Sequence, residues 1–175
     1  MKKLRIILLG LLAIMPLSML AQPINETIIE PSDSSLIADG YFDKHLFESS
    51  LFKDWFQYEY ESYKPDKKAM KTLTRKLPAG FSVIIVMGTW CPDSRREVPR
   101  FYKIADLINI KTDAIIGIAV NRVKTTEHVN MGHLKIERVP TFIVYNEGKE
   151  LGRIIETPHQ SLEKDLLEII KKKPE

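Results

Sequence analysis

Apolar positions along the chain follow two rhythms. Val83 to Met87 and residues 114–120 are short continuous apolar runs rich in β-branched side chains. Runs of that length and composition predict strands buried on both faces. Other stretches repeat at three-to-four spacing and predict helices. One covers 66–77, a basic segment that keeps Ala69, Met70, Leu73 and Leu77 on one side. A second starts after Cys91 and runs to about Asn109, with Val98, Phe101, Tyr102, Ala105 and Ile108 as its stripe. A third opens at Ser161, a residue type suited to the N-cap, and turns Leu162, Leu166 and Ile169 inward. Lys171 to Lys173 lie at its C-terminal end, where cations suit the helix dipole.

Between these segments the signals are weaker. Residues 141–146 and 151–156 predict a hairpin around Asn146-Glu147-Gly148-Lys149. Residues 124–138 are polar, with enough helical periodicity for one short helix. Phe52, Phe56, Tyr60 and Tyr63 recur at helical spacing beside Trp55. Such a stripe serves first as the buried face of a helix and second as a docking surface for a substrate or partner. Pro23, Pro31 and the Ser32-Asp33-Ser34-Ser35 cluster make residues 22–40 an extended arm, with room for disorder at its start. Lys64-Pro65-Asp66 reads as a turn and a boundary. The expected organisation is a leader at 1–21, an arm and aromatic helical extension at 22–65, and a domain at 66–175.

Composition changes this picture in three ways. An apolar content of 44% and a charged content of 28% over 175 residues call for a packed core. The formal charge of +3 is carried by Lys2, Lys3 and Arg5, so the chain beyond residue 21 is neutral. That gives no electrostatic footprint for nucleic acid. Residues 1–21 join this basic start to an apolar run from Ile6 to Met15 and end in Met19-Leu20-Ala21. This is the pattern of a secretory signal peptide cleaved after Ala21, and it implies an exported protein, expected in the periplasm of a bacterium. No membrane span is expected after cleavage. His45, His128, His133 and His159 are dispersed and read as surface residues, so no metal site is expected.

Cys91 is the one cysteine of the chain, so any disulfide it forms must join it to another molecule. It follows the 83–87 strand through Gly88-Thr89-Trp90, and Pro92 fits the first helical position. The thiol is thus expected at the N-terminus of a helix, among backbone N–H groups that favour the nucleophilic thiolate. Ser94, one turn on, is placed to donate a hydrogen bond to the sulfur. Arg95 and Arg96 would act in the same direction and Asp93 against them. The bland use of a lone cysteine is as a small buried apolar residue.

Trp90-Cys91-Pro92-Asp93-Ser94 at a strand-to-helix junction resembles the active site of the thioredoxin superfamily, usually W-C-x-x-C. Pro99 lies where the family has a helix-kinking proline. Val139-Pro140-Thr141 resembles its cis-proline loop, and the Gly88-Thr89-Trp90-Cys91 spelling is most similar to exported bacterial members. The resemblance spans roughly 66–173. It implies an α/β, thioredoxin-like fold, a central mixed sheet with helices on both faces, here with a helical N-terminal extension. It also implies that Trp90 and Pro92 border the site and that Val139, before Pro140, contacts substrate through its backbone. Two residues depart from the pattern. Ser94 replaces the resolving cysteine, and Ile85 stands where many members bury an aspartate. Pro92-Asp93 also replaces the Gly-Phe pair with which single-cysteine glutaredoxins hold an iron–sulfur cluster, and no cofactor is implied.

Two functions follow from these residues. In the first, Cys91 acts catalytically, assisted by Ser94, in a monothiol oxidoreductase or isomerase. Its partners are protein or small-molecule thiols and disulfides, and an external or substrate thiol resolves the mixed disulfide. In the second, the same groove binds proteins without catalysis. Whether the chain is an enzyme is open at this level. The leader carries its own test: N-terminal sequencing of the mature protein is expected to begin at Gln22, and a full-length membrane-retained product refutes the cleavage.

Overall fold

The computed structural model describes residues 23–172. The leader and its cleavage point after Ala21 lie outside them. Among the described residues, no helix is long and apolar enough to cross a membrane.

The apolar run after Gly80 forms the centre of the sheet. Strand β3, Phe81–Met87, pairs in parallel with β4, Ile115–Ala119, and antiparallel with β5, Thr141–Asn146. Its Val83, Ile85, Val86 and Met87 are fully buried. β5 turns into β6, Lys149–Ile155, through Glu147 and Gly148, both at positive φ (50° and 77°). A two-residue turn with that backbone matches the twist of paired strands, and glycine adopts it without strain. The hairpin lies where the sequence places it.

The N-terminal arm is a correction. Residues 23–40 are not a free extension. β1, Glu26–Ile29, and β2, Leu36–Phe42, form an antiparallel hairpin, and β2 joins β4 with Gly40 opposite Ala119. The sheet therefore has six strands in the order β1-β2-β4-β3-β5-β6. The overlooked signal is the apolar pair Ile28-Ile29, a polar turn, then Leu36-Ile37.

Among the described residues, four α-helices flank the sheet: α1 (Lys53–Ser62), α2 (Lys67–Lys76), α3 (Pro92–Leu107) and α4 (Leu162–Lys171). The mixed sheet with flanking helices is the expected α/β architecture, but the helices pack on one face and not on both. The helices all bury their apolar residues in one cluster, where Phe56, Leu73, Phe101 and Leu166 meet Ala38, Ile85 and Phe142. Phe47 stacks on Phe56 at 4.2 Å and meets Tyr102 edge-on, so the aromatic stripe is core. The segment before Pro65 thus shares its core with the residues after it.

The opposite face is covered by the segment after β4 instead of a long helix. Its one helical piece is the 3-10 turn Gly132–Leu134, and Leu134 packs against Val86, Ile118 and Ile143. The Thr126 hydroxyl donates to the buried Asp39 carboxylate at 2.8 Å, and His128 approaches that carboxylate at 3.6 Å. His128 is therefore half-buried rather than a plain surface residue. Burial pushes the Asp39 carboxyl above its ordinary value, and the Thr126 bond opposes that.

One buried carboxylate ties the helical layer together. Glu163 at the start of α4 accepts from the Tyr63 hydroxyl at 2.6 Å and from the Asp66 N–H at 2.9 Å. Ser161 occupies the N-cap position without a side-chain capping bond, and Asp165 instead accepts from the His159 N–H at 2.6 Å. Burial acts to raise the Glu163 carboxyl, but these hydrogen bonds outweigh it and hold the group below its ordinary value. Its stabilising effect is therefore complete above the unfolded value of about 4.3 and lost as pH falls through the lower folded value. Glu163→Gln is expected to flatten the acid limb of stability against pH in denaturant titrations. An unchanged acid limb would count against the assignment.

Candidate functional site

The strand-to-helix junction places the thiol. β3 ends at Met87, and the chain turns through Gly88 and Thr89 with the Cys91 N–H donating to the Gly88 carbonyl at 2.9 Å. Cys91 is the N-cap of α3 and Pro92 takes the first turn, as the sequence requires. The Cys91 carbonyl accepts from the Arg95 N–H at 3.0 Å. The cysteine is 7% exposed.

Gly88 is fitted to its neighbour. A Cβ there would lie 2.4 Å from Cε2 of Trp90, so the indole rests where only glycine leaves room. The indole N–H donates to the Val120 carbonyl at 2.8 Å, which fixes the ring beside the thiol. The Arg122 guanidinium stands 5.3 Å over its face. Thr89 is buried, and its hydroxyl accepts from the Ala38 N–H at 3.0 Å, so the loop is anchored to β2.

The second wall comes from residues 138–141. The Val139–Pro140 peptide is cis. The Cys91 thiol donates to the Val139 carbonyl at 3.2 Å, so the two stretches singled out in the sequence meet directly. Val139 is 3% exposed and Pro140 is buried, while Pro92 is exposed. The Pro140 carbonyl accepts from the Glu156 N–H at 2.7 Å, which pins the loop to the end of β6.

Ser94 and the arginines differ from expectation. The Ser94 side chain is fully buried, and its hydroxyl accepts from the Gly88 N–H at 3.3 Å rather than bonding the sulfur. It braces the turn from beneath. Arg95 donates to the Thr89 carbonyl at 2.6 Å. Arg96 pairs with Asp93 at 2.8 Å and Glu97 at 2.6 Å. Both guanidinium groups have found other partners, and so has the Asp93 carboxylate. Ile85 belongs to the core cluster on the helical side of the sheet. Among the described residues, no group of three or more His, Cys, Asp or Glu side chains is placed to hold a metal.

A further contributor was not visible in the sequence. The β1–β2 turn reaches the rim of the site through Arg122, whose N–H donates to Glu30 at 3.0 Å and whose guanidinium pairs with Asp33. The Ser35 hydroxyl, the Ser35 N–H and then Arg122 hold the Asp33 carboxyl down to about 2. No local motif announces a contact between segments so far apart.

The model of the thioredoxin family matches residues 51–168, more than half of the chain. The chain belongs to the thioredoxin family. Among solved structures, this thioredoxin-like chain is similar to a Pseudomonas aeruginosa protein of unknown function, at 18% identity and a TM-score of 0.55, covering 74% of this chain and 91% of that one. It is also similar to an HIV epitope scaffold at 16% identity and a TM-score of 0.50, covering 74% and 82%. Likenesses at this identity concern the fold. No curated protein matches the chain.

The close packing of Trp90 on Gly88 is directly testable. Gly88→Ala is expected to displace the indole, cost about 1–3 kcal/mol as overpacking does, and speed maleimide labelling of Cys91. Unchanged stability and labelling would show that the indole does not depend on the bare Cα.

Proposed function

We propose that this thioredoxin-like protein carries out thiol–disulfide exchange through Cys91. The observation that supports the reading is the meeting of the Cys91 thiol with the Val139 carbonyl at 3.2 Å, between a helix N-terminus and the Pro140 loop. An incoming disulfide would displace the thiol from that carbonyl. The Cys91 thiolate attacks one substrate sulfur, a sulfur–sulfur bond forms, the substrate disulfide breaks, and the departing thiolate takes up a proton. A second thiol, from the substrate or an external reductant, then attacks the mixed disulfide and restores Cys91. Ser94 takes no part in resolution, since a hydroxyl does not exchange with disulfides. Its role is to hold the turn on which the thiol sits. Trp90 and Pro92 would flank the substrate, and the Val139 backbone would pair with it.

This chemistry suits isomerisation or removal of small-thiol adducts better than net dithiol oxidation, because no internal disulfide can form. The signal-like residues 1–21 support an exported, periplasmic setting, where such substrates occur. The low exposure of Cys91 favours a second reading, a non-catalytic module that binds proteins along the same groove.

Ser94→Cys separates the two. Position 94 lies one helical turn after Cys91, so a thiol there starts from the adjoining turn of the same helix. The variant is expected to close an internal disulfide on oxidation and to gain stoichiometric reduction of a protein disulfide without added thiol. Wild type should instead accumulate mixed disulfides that Cys91→Ala abolishes, read by mass spectrometry of trapped adducts. No gain by Ser94→Cys, together with resistance of Cys91 to alkylation, would leave the binding module as the better account.

A further inference from the structure

Helix α2 breaks two rules of helix electrostatics, and an apolar cleft lies beside the breach. Lys67 and Lys68 occupy its first turn, where the Asp66 N-cap carboxylate is the one acid set against them. Lys67 and Lys71 repel each other at i, i+4. Five of its ten residues are basic and none is acidic. Local violations of this kind are expected where a function sets the sequence.

The cleft runs between α2, the Tyr63–Pro65 turn and the C-terminal end of α3, with a volume of about 480 Å³. That lies within the range of about 300–1,000 Å³ usual for small-molecule sites. Met70, Leu107 and Ile108 give it an apolar floor, and Leu107 is 57% exposed there. Lys64, Lys67, Lys71 and Lys103 form its rim, and no carboxylate lines it. Lys103 donates to the Glu61 carbonyl at 3.1 Å. None of Lys64, Lys67 and Lys71 enters an ion pair among the described residues. The carboxylates nearby are engaged elsewhere: Asp66 caps the Ala69 N–H at 2.8 Å, and Asp106 is bound by Tyr60 and Lys44.

We propose that this cleft binds a single-chain amphiphile with a carboxylate head. The chain lies on Met70, Leu107 and Ile108, and the head sits among Lys64, Lys67 and Lys71. Unpaired cations around an apolar floor complement a ligand that is anionic at one end and apolar along the rest. The cleft sits at the far end of α3 from Cys91, roughly 24 Å along a helix of sixteen residues. Its occupancy is therefore independent of thiol chemistry.

Isothermal titration of the protein with dodecanoate below its micelle concentration tests this. One saturable site is expected, with acetate and dodecyltrimethylammonium failing to bind. Lys67→Glu/Lys71→Glu is expected to weaken binding at least tenfold. Leu107→Gln, at an exposed position the fold tolerates, should weaken it similarly, and Cys91→Ala should bind as wild type does. Absence of saturable binding, equal binding of the cationic amphiphile, or indifference to both cleft variants overturns the proposal. Binding to phosphatidylglycerol vesicles without binding of monomeric dodecanoate also overturns it and assigns the face to a membrane surface.

Discussion

The structure depends on one strand being buried on both faces and paired on both edges. β3 has β4 on one side and β5 on the other, and its apolar side chains enter both core clusters. Such a strand has little freedom to slip, because a one-residue shift would move every side chain to the wrong face. Its end is consequently a fixed point. Gly88, Thr89 and Trp90 leave it within three residues, so Cys91 inherits that fixity and adds bonds to the Gly88 and Val139 carbonyls and to the Arg95 N–H. The thiol is positioned by the sheet, and the helix that follows supplies the field around it.

The parts of the fold legible in the sequence were those carried by local pattern. The 83–87 run, the helix after Cys91, the hairpin around Glu147-Gly148 and the α4 stripe each encode their structure within a dozen residues. The junction at Cys91 and the loop at Pro140 were legible for a similar reason, since residue type and order define them. The N-terminal hairpin was hidden because its turn residues also fit an unstructured arm. Its strand character rests on β4, far along the chain. The covering of the second sheet face was hidden likewise: Leu134 is one apolar residue in a polar stretch, and only its neighbours in space make it a plug.

At the site, residue identities transferred better than their bonds. Cys91 and Val139 meet, and Trp90 and Pro92 stand beside the thiol. The polar groups made other choices. Ser94 took the Gly88 N–H, Arg95 the Thr89 carbonyl, and Arg96 the carboxylates of Asp93 and Glu97. Each has several partners within reach, and the choice turns on rotamers and burial that sequence spacing does not encode. A buried hydroxyl facing a buried N–H has little alternative, because leaving both unpaired costs more than any bond to sulfur returns.

The placing of β2 against β4 has a consequence for how the chain folds. Gly40 is synthesised long before its partner Ala119, with two helices, the central strand and the thiol-bearing helix in between. Until β4 emerges, the hairpin of β1 and β2 has no sheet to join and exposes the edge that β4 will occupy. Two strands alone are marginal in water. Closing such a long loop is entropically slow. The hairpin therefore cannot dock before β4 is made, and its docking brings Asp33 and Glu30 to Arg122 and the Ala38 N–H to Thr89. The loop beside the thiol is completed only when β2 meets β4, so a nascent chain carries its cysteine for a time without its finished surroundings.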